Sequence, residues 1–319
     1  MAALNAPLFA SQENLHVINS MINTSHRSPM LLGDVLPWDE MIDRSAPPKL
    51  ASTSWIYGTK YWEQLTEAQR LEVLWLENAR DVSFFIQLEQ FLPPMYMSYL
   101  TAFGAALAPE IEEYMMIFAK EEIVHTQMFR RYLEKANLPN FVIPQRPGFA
   151  HVMHTLEHSP RSLPPIVGVM WTLVLEWAAE LNAVHCTQVD GIEPITKQMF
   201  WAHHIDEVRH ITFGRRLCED YFTSKSVEEL TPIRNLFKPA IGDVLEEFKY
   251  TEQISDLTSF EFPIHKTDLA AIRAVRASEN NTRLNAVRFK EIIDWLTRLD
   301  LMPERIVPLG MEPVSSTIN

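Results

Sequence analysis

Cysteine is nearly absent from this chain of 319 residues, and glycine is scarce. The two cysteines, Cys186 and Cys218, are too few for a disulfide scaffold and fit a reduced compartment. They also cannot supply the four thiolates that a structural zinc or an iron–sulfur cluster takes. None of the nine glycines builds the Gly-rich loop that cradles a flavin or nicotinamide dinucleotide. Positive charge is short as well: 28 basic against 41 acidic side chains leave a formal charge of −13. That balance excludes the basic footprint nucleic acid requires and disfavours an anionic membrane surface. Residues 1–26 contain no Lys or Arg, so the charged start of a secretory signal is missing. The longest apolar run, Leu163 to Leu175, is too short to span a bilayer and holds two prolines. The expectation is a cytoplasmic protein that meets neither membrane nor nucleic acid.

What is present is hydrophobic periodicity of three to four residues, which predicts an all-α fold. Residues 1–60, with Ser-Pro at 28–29 and Ala-Pro-Pro at 46–48, read as an irregular N-terminal arm over a single domain of residues 61–319. Four long helices are expected at about 67–92, 109–137, 164–188 and 194–222, with the first stopped by Pro93-Pro94. Further helical patterns lie at about 226–250, 267–276 and 281–299. Four central helices of this length, with long connections, predict a four-helix bundle of the ferritin-like kind.

Glu-x-x-His occurs three times, as Glu13/His16, Glu122/His125 and Glu207/His210. Chance alone gives about one such pair in this composition, and Glu13/His16, in the arm, is read as that one. The other two sit inside apolar stripes: Met115, Phe118, Glu122, His125, Phe129, and Phe200, His203, Glu207, His210, Gly214, Leu217. Burying those groups is costly unless each is paired, protonated or bound to metal. The other two long helices each bring one carboxylate to an apolar face. Glu89 is the only charged residue between Asp81 and Glu110, and Glu176 the only one between Arg161 and Glu180. Four glutamates and two histidines in this order suit two metal ions. His203, one turn before Glu207, adds a seventh candidate ligand. Hard carboxylates with imidazoles and no thiolate favour iron, with manganese accepting the same set.

The segments EEIVH at 121–125, the lone Glu176 and HHIDEVRH at 203–210 resemble the p-aminobenzoate N-oxygenase family of di-iron enzymes. The third histidine, His203, and its separation of 27 residues from Glu176 carry much of that resemblance. It implies metal ligands Glu89, Glu122, His125, Glu176, His203, Glu207 and His210, with Glu122, Glu207 and His203 at the centre of the chemistry. Glu122 and Glu207 would bridge two irons, Glu89 and His125 completing one, and Glu176, His203 and His210 the other. No short motif fixes Glu89, and Glu77 shares its helix. The resemblance further implies O2 as co-substrate and a small-molecule amine taken to a hydroxylamine or on to a nitroso or nitro group, often in natural-product biosynthesis. A homodimer is compatible with it. With no nucleotide-binding loop in the chain, an external electron donor, a ferredoxin or flavin reductase, is implied as partner. The alternatives are another di-iron chemistry (C-hydroxylation, desaturation or oxidative cleavage) or an iron-handling ferroxidase.

Other polar residues have plainer readings. His204 and Glu180 are expected beside the ligands or at the surface, and Asp206 and Arg209 either orient ligands or form a solvated ion pair. His151, His154 and His158 read as surface residues, and the methionine clusters as core packing. Gly214 is expected to leave room for substrate or oxygen. Arg283 and Arg288 are candidates to meet a substrate carboxylate, with surface placement favoured.

Overall fold

The computed structural model describes residues 8–143, 150, 154, 155, 157, 158, 165–235, 237 and 252–302. Among them the regular elements are helices and no strand occurs. Seven helices matter here: α1 (Gln12–Arg27), α2 (Glu67–Phe103), α3 (Pro109–Lys135), α4 (Pro165–Thr187), α5 (Pro194–Ser224), α6 (Leu269–Arg276) and α7 (Glu279–Arg298). The bundle consists of α2 to α5, with α2 paired chiefly to α3 and α4 to α5. Helix α1 lies across α3 and α5, and α7 packs on α4.

Each long helix starts where local chemistry satisfies its free N–H groups. Thr66 caps α2 and forms a capping box with Gln69. Proline stands at the first turn of α3 and of α5, where its missing N–H costs nothing. At α5 the buried Glu193 side chain also accepts from the backbone N–H of Thr196, 2.7 Å away. Each helix turns a row of large apolar side chains inward, and the core they form reaches from Ile18 in α1 to Trp295 in α7.

Three expectations change. Helix α2 does not stop at Pro93-Pro94 but runs 37 residues to Phe103, with both prolines inside it. Each proline removes one backbone bond, to the carbonyls of Glu89 and Gln90, and packing against α3 outweighs that loss. The arm is not wholly irregular, because residues 12–27 are helical, capped by Ser11. Helix α4 is long and apolar enough to cross a membrane over Pro165–His185, yet residues 165–180 of it are all buried inside the bundle. The helix expected over 226–250 is seen at 227–235; residues 238–250 lie outside the described residues, as do His151 and the side chain of Cys186.

At Gly214 α4 and α5 approach each other closely. A Cβ there would stand 3.1 Å from Cβ of Leu173, so the glycine serves helix packing, and Leu173 fills the space expected for substrate or oxygen. Alanine at 214 gains about 1 kcal/mol of helix propensity, against about 1–3 kcal/mol for overpacking. We expect Gly214→Ala to lower the melting temperature by several degrees. Leu173→Gly, which removes the opposed Cβ, should cost less in that background than in the native chain, which thermal unfolding of the four proteins checks.

Candidate metal centre

Each bundle helix delivers its polar group from the middle of an apolar stripe. Glu89 comes from α2, Glu122 and His125 from α3, Glu176 from α4, and His203, Glu207 and His210 from α5. All seven are at most 4% exposed. They form two groups sharing Glu207: Glu89, His125, His203 and Glu207, and Glu122, Glu176, Glu207 and His210. Within each group one ligand atom per residue lies within 4.8 Å of the others. All seven sequence candidates are therefore brought together.

Their sorting differs from expectation at two residues: Glu122, expected to bridge, falls only in the group with Glu176 and His210, and His203 changes group. His203 lies with Glu89 and His125, not with Glu176 and His210. Its Nε2 is 2.9 Å from Glu89 and 3.1 Å from Glu207. Glu77, which shares α2 with Glu89, is engaged elsewhere. It accepts from the Ser54 hydroxyl and the Trp55 N–H and pairs with Lys49 at 3.2 Å.

Carboxylates outside the two groups fix the rings. Asp206 accepts from Nε2 of His125 at 3.1 Å, and Glu121 from Nε2 of His210 at 2.9 Å. Both rings therefore turn Nδ1 towards the centre. Arg209 ties the two carboxylates together, donating to Glu121 at 3.0 Å and to Asp206. Asp206 and Arg209 thus form a buried ion pair, not a solvated one. The arrangement is reciprocal: the acidic residue just before each motif glutamate holds the histidine of the other helix. Glu121 was missed as a functional residue, although an acidic residue precedes the glutamate in both motifs. Glu180 accepts from Nδ1 of His203 at 3.3 Å and also bonds His204, leaving Nε2 of His203 towards the centre.

The inward atoms find no hydrogen-bond partner outside the cluster. Both oxygens of Glu176 and Oε2 of Glu89 have none, and Glu122 and Glu207 meet only the imidazoles of the cluster, with Nδ1 of His210 2.9 Å from Glu122 and 3.3 Å from Glu207. Orphaned buried oxygens, with imidazole nitrogens beside them, fit divalent cations, and two such ions neutralise the four glutamates. Around them is an aromatic wall. Phe118 stacks on His210 with centroids 3.7 Å apart, and Phe85 and Phe129 meet His203 at 5.0 and 4.9 Å.

Protons do the neutralising in the metal-free protein. Burial pushes the Glu89 and Glu122 carboxyls up to about 7, the nearby Glu207 adding to the rise at Glu122. Glu176 is raised well above the usual range by burial and by the charges of Glu207 and Glu122. Burial also opposes charge on Glu207, but His203 and His210 outweigh it and hold that carboxyl well below its ordinary value. Burial lowers both rings in turn, and Glu207 with the other carboxylates overrides it, so both end well above the ordinary imidazole value.

Beside the centre, a small apolar cleft with room for about one water molecule is lined by Met95, Tyr96, Tyr99, Met115, Pro165, Gly168 and Val169. A larger cleft of about 1160 Å3, between residues 64–69 and 255–268, contains none of the candidate ligands. Arg283 is bonded to Asn280 at the surface, and the buried Arg288 lies over the Trp55 ring. Neither lines the apolar cleft. Glu13 and His16 are exposed on α1, and His154 and His158 stack on each other at 4.1 Å, with His158 exposed.

Two outcomes are expected. Metal affinity should fall as pH drops through 7, where Glu89 and Glu122 take up protons, and binding should release protons. Calorimetric titration with Mn2+ in buffers of different ionisation enthalpy measures both. Arg209→Leu leaves Glu121 and Asp206 buried without their cation, a loss of about 3–5 kcal/mol in stability. It should also weaken metal binding about 10–100-fold with every ligand in place, as read by metal analysis and thermal unfolding.

The family model described as p-aminobenzoate N-oxygenase AurF matches residues 11–300, most of the chain. No curated protein matches the sequence.

Proposed function

The chain belongs to the p-aminobenzoate N-oxygenase AurF family, and on that premise we propose that it is a di-iron N-oxygenase acting on an amine. The product is a hydroxylamine or the nitroso or nitro compound beyond it. Aryl amines of natural-product biosynthesis are the substrate class. The observation that carries this reading is the seven-residue set in which His203 joins two Glu-x-x-His motifs and two single glutamates. Glu89, Glu122, His125, Glu176, His203, Glu207 and His210 would hold the metal ions. Two iron ions bound there supply the activation of O2, using electrons from outside the chain.

The protein contributes position, dryness and charge. Glu207 belongs to both ligand groups and would be the carboxylate shared between the two ions. Asp206, Glu121 and Glu180 hold the three rings in one tautomer and orientation, so the nitrogen lone pairs do not have to reorganise. Phe85, Phe118 and Phe129 keep bulk water off that face, which strengthens each electrostatic contact inside. The apolar cleft at Tyr96 and Val169, near Glu176 whose charge reaches the Tyr96 phenol, marks an apolar approach to the centre that must widen to admit an aromatic ring. Its apolar lining equally suits a C–H substrate, the second reading.

The test is metal content followed by turnover. Iron-loaded protein is supplied with a chemical reductant, 18O2 and a panel of aryl and alkyl amines. Mass spectrometry should find two irons per chain and label on nitrogen. His203→Ala should lose most of that product while folding normally. Label on carbon moves the assignment to hydroxylation, and protein that binds no iron under anaerobic loading overturns the reading.

A further inference from the structure

An enzyme of this kind needs an electron route from its surface to a buried centre, and one is visible. His203 and His204 are consecutive, so their side chains leave α5 about 100° apart. His203 points inward to Glu89 and Glu207, and His204 points out, with its side chain 26% exposed. Glu180 from α4 bonds both rings. The His204 ring in turn lies 5.3 Å from the indole of Trp201, which is 49% exposed. Rings and hydrogen bonds therefore run without a gap from solvent through Trp201, His204 and Glu180 to His203.

The surface at the outer end of this route is unusual for a bundle helix. Trp201, Ile205 and Val208, at spacings of four and three, are each about half exposed and form one apolar stripe on the outward side of α5. Lys197 and Arg216, both half-buried, flank it, as does Arg215, which also pairs with Glu219 at 3.7 Å. Between residues 194 and 216 the only acidic side chains are Asp206 and Glu207, both buried. In a chain of net charge −13 this helix presents an apolar patch with a basic rim. Such a surface suits an acidic partner with an apolar contact spot.

We propose that the outer face of α5 around Trp201 is the docking surface for an acidic one-electron carrier protein, whose electrons enter through Trp201, His204 and Glu180 to His203. This rests on the di-iron reading. Each encounter oxidises the carrier by one electron and reduces the metal centre by one, and two encounters deliver the pair that O2 activation needs. No bond forms or breaks in Trp201 or His204, which act as a bridge for the electron.

An acidic [2Fe–2S] ferredoxin and an acidic flavodoxin serve as probes. Calorimetric titration of the metal-free protein should show binding by at least one of them that weakens with added salt. Trp201→Ser and Arg216→Glu should each weaken it tenfold or more. Both residues are away from the core, and thermal unfolding checks that the variants fold. Anaerobic reduction of the iron-loaded protein by the reduced carrier should slow at least tenfold in Trp201→Ser. Reduction by dithionite, which needs no docking, should stay within twofold. Binding by neither probe, or equal binding by the native chain and both variants, overturns the proposal. So does a native dimer that Trp201→Ser converts to monomers, which would assign the face to a second copy. The outcomes separate from those of the enzymatic reading: N-oxygenation driven by dithionite stands without this surface, and carrier binding to metal-free protein is measured without turnover.

Discussion

Four glutamates and three histidines inside an apolar bundle are the constraint on which the rest of this structure depends. Ionised and unpaired, they would cost more than the bundle gains by closing around them. The chain meets the constraint at two levels. Nearest the centre, Glu89, Glu122 and Glu176 are pushed up and His203 and His210 are pushed up with them, so protons stand where cations would. One layer out, burial opposes charge on Glu121 and Asp206, but His210 and His125, with Arg209 adding a permanent positive charge, hold both carboxyls below their ordinary values. The inner layer exchanges its charge and the outer layer does not. That division suits a centre whose cations arrive after folding.

The reciprocal bonding follows from helix geometry. On α3 and α5 the motif glutamate and histidine share one face, three residues apart, and the preceding acidic residue lies about 100° round towards the neighbouring helix. Glu121 therefore reaches His210 on α5, and Asp206 reaches His125 on α3. Neither helix can rotate or slide without breaking a bond on both sides. The polar cluster specifies the register of the bundle as well as its chemistry, a role apolar packing fills less sharply.

All seven ligand candidates were readable from period and spacing, because a charged residue inside an apolar stripe stands out in one dimension. What was not readable depended on neighbours in space. His203 is one turn from Glu207 on either assignment, and only the position of α2 places it beside Glu89. Pro93-Pro94 reads as a stop, since local rules penalise it, yet the packing of α2 on α3 carries the helix to Phe103. Gly214 reads as vacant space, but the Leu173 side chain fills it. Asp206 and Arg209 read equally as a surface pair or as part of the site, because burial is not written in the two residues themselves.

The histidine pair at 203 and 204 joins the interior to the surface. Two adjacent residues on a helix must diverge, so an imidazole on the centre brings the next one towards solvent. Glu180 turns that divergence into a connection by accepting from both rings. The same carboxylate that aims His203 at Glu89 and Glu207 therefore also couples it to a half-exposed ring beside Trp201. A site sealed by Phe85, Phe118 and Phe129 against water thus keeps one polar thread outward, through α5 and away from the apolar cleft between α2, α3 and α4. On the proposed function, separate routes for substrate and for electrons would let the dry side stay dry while the charged side stays connected.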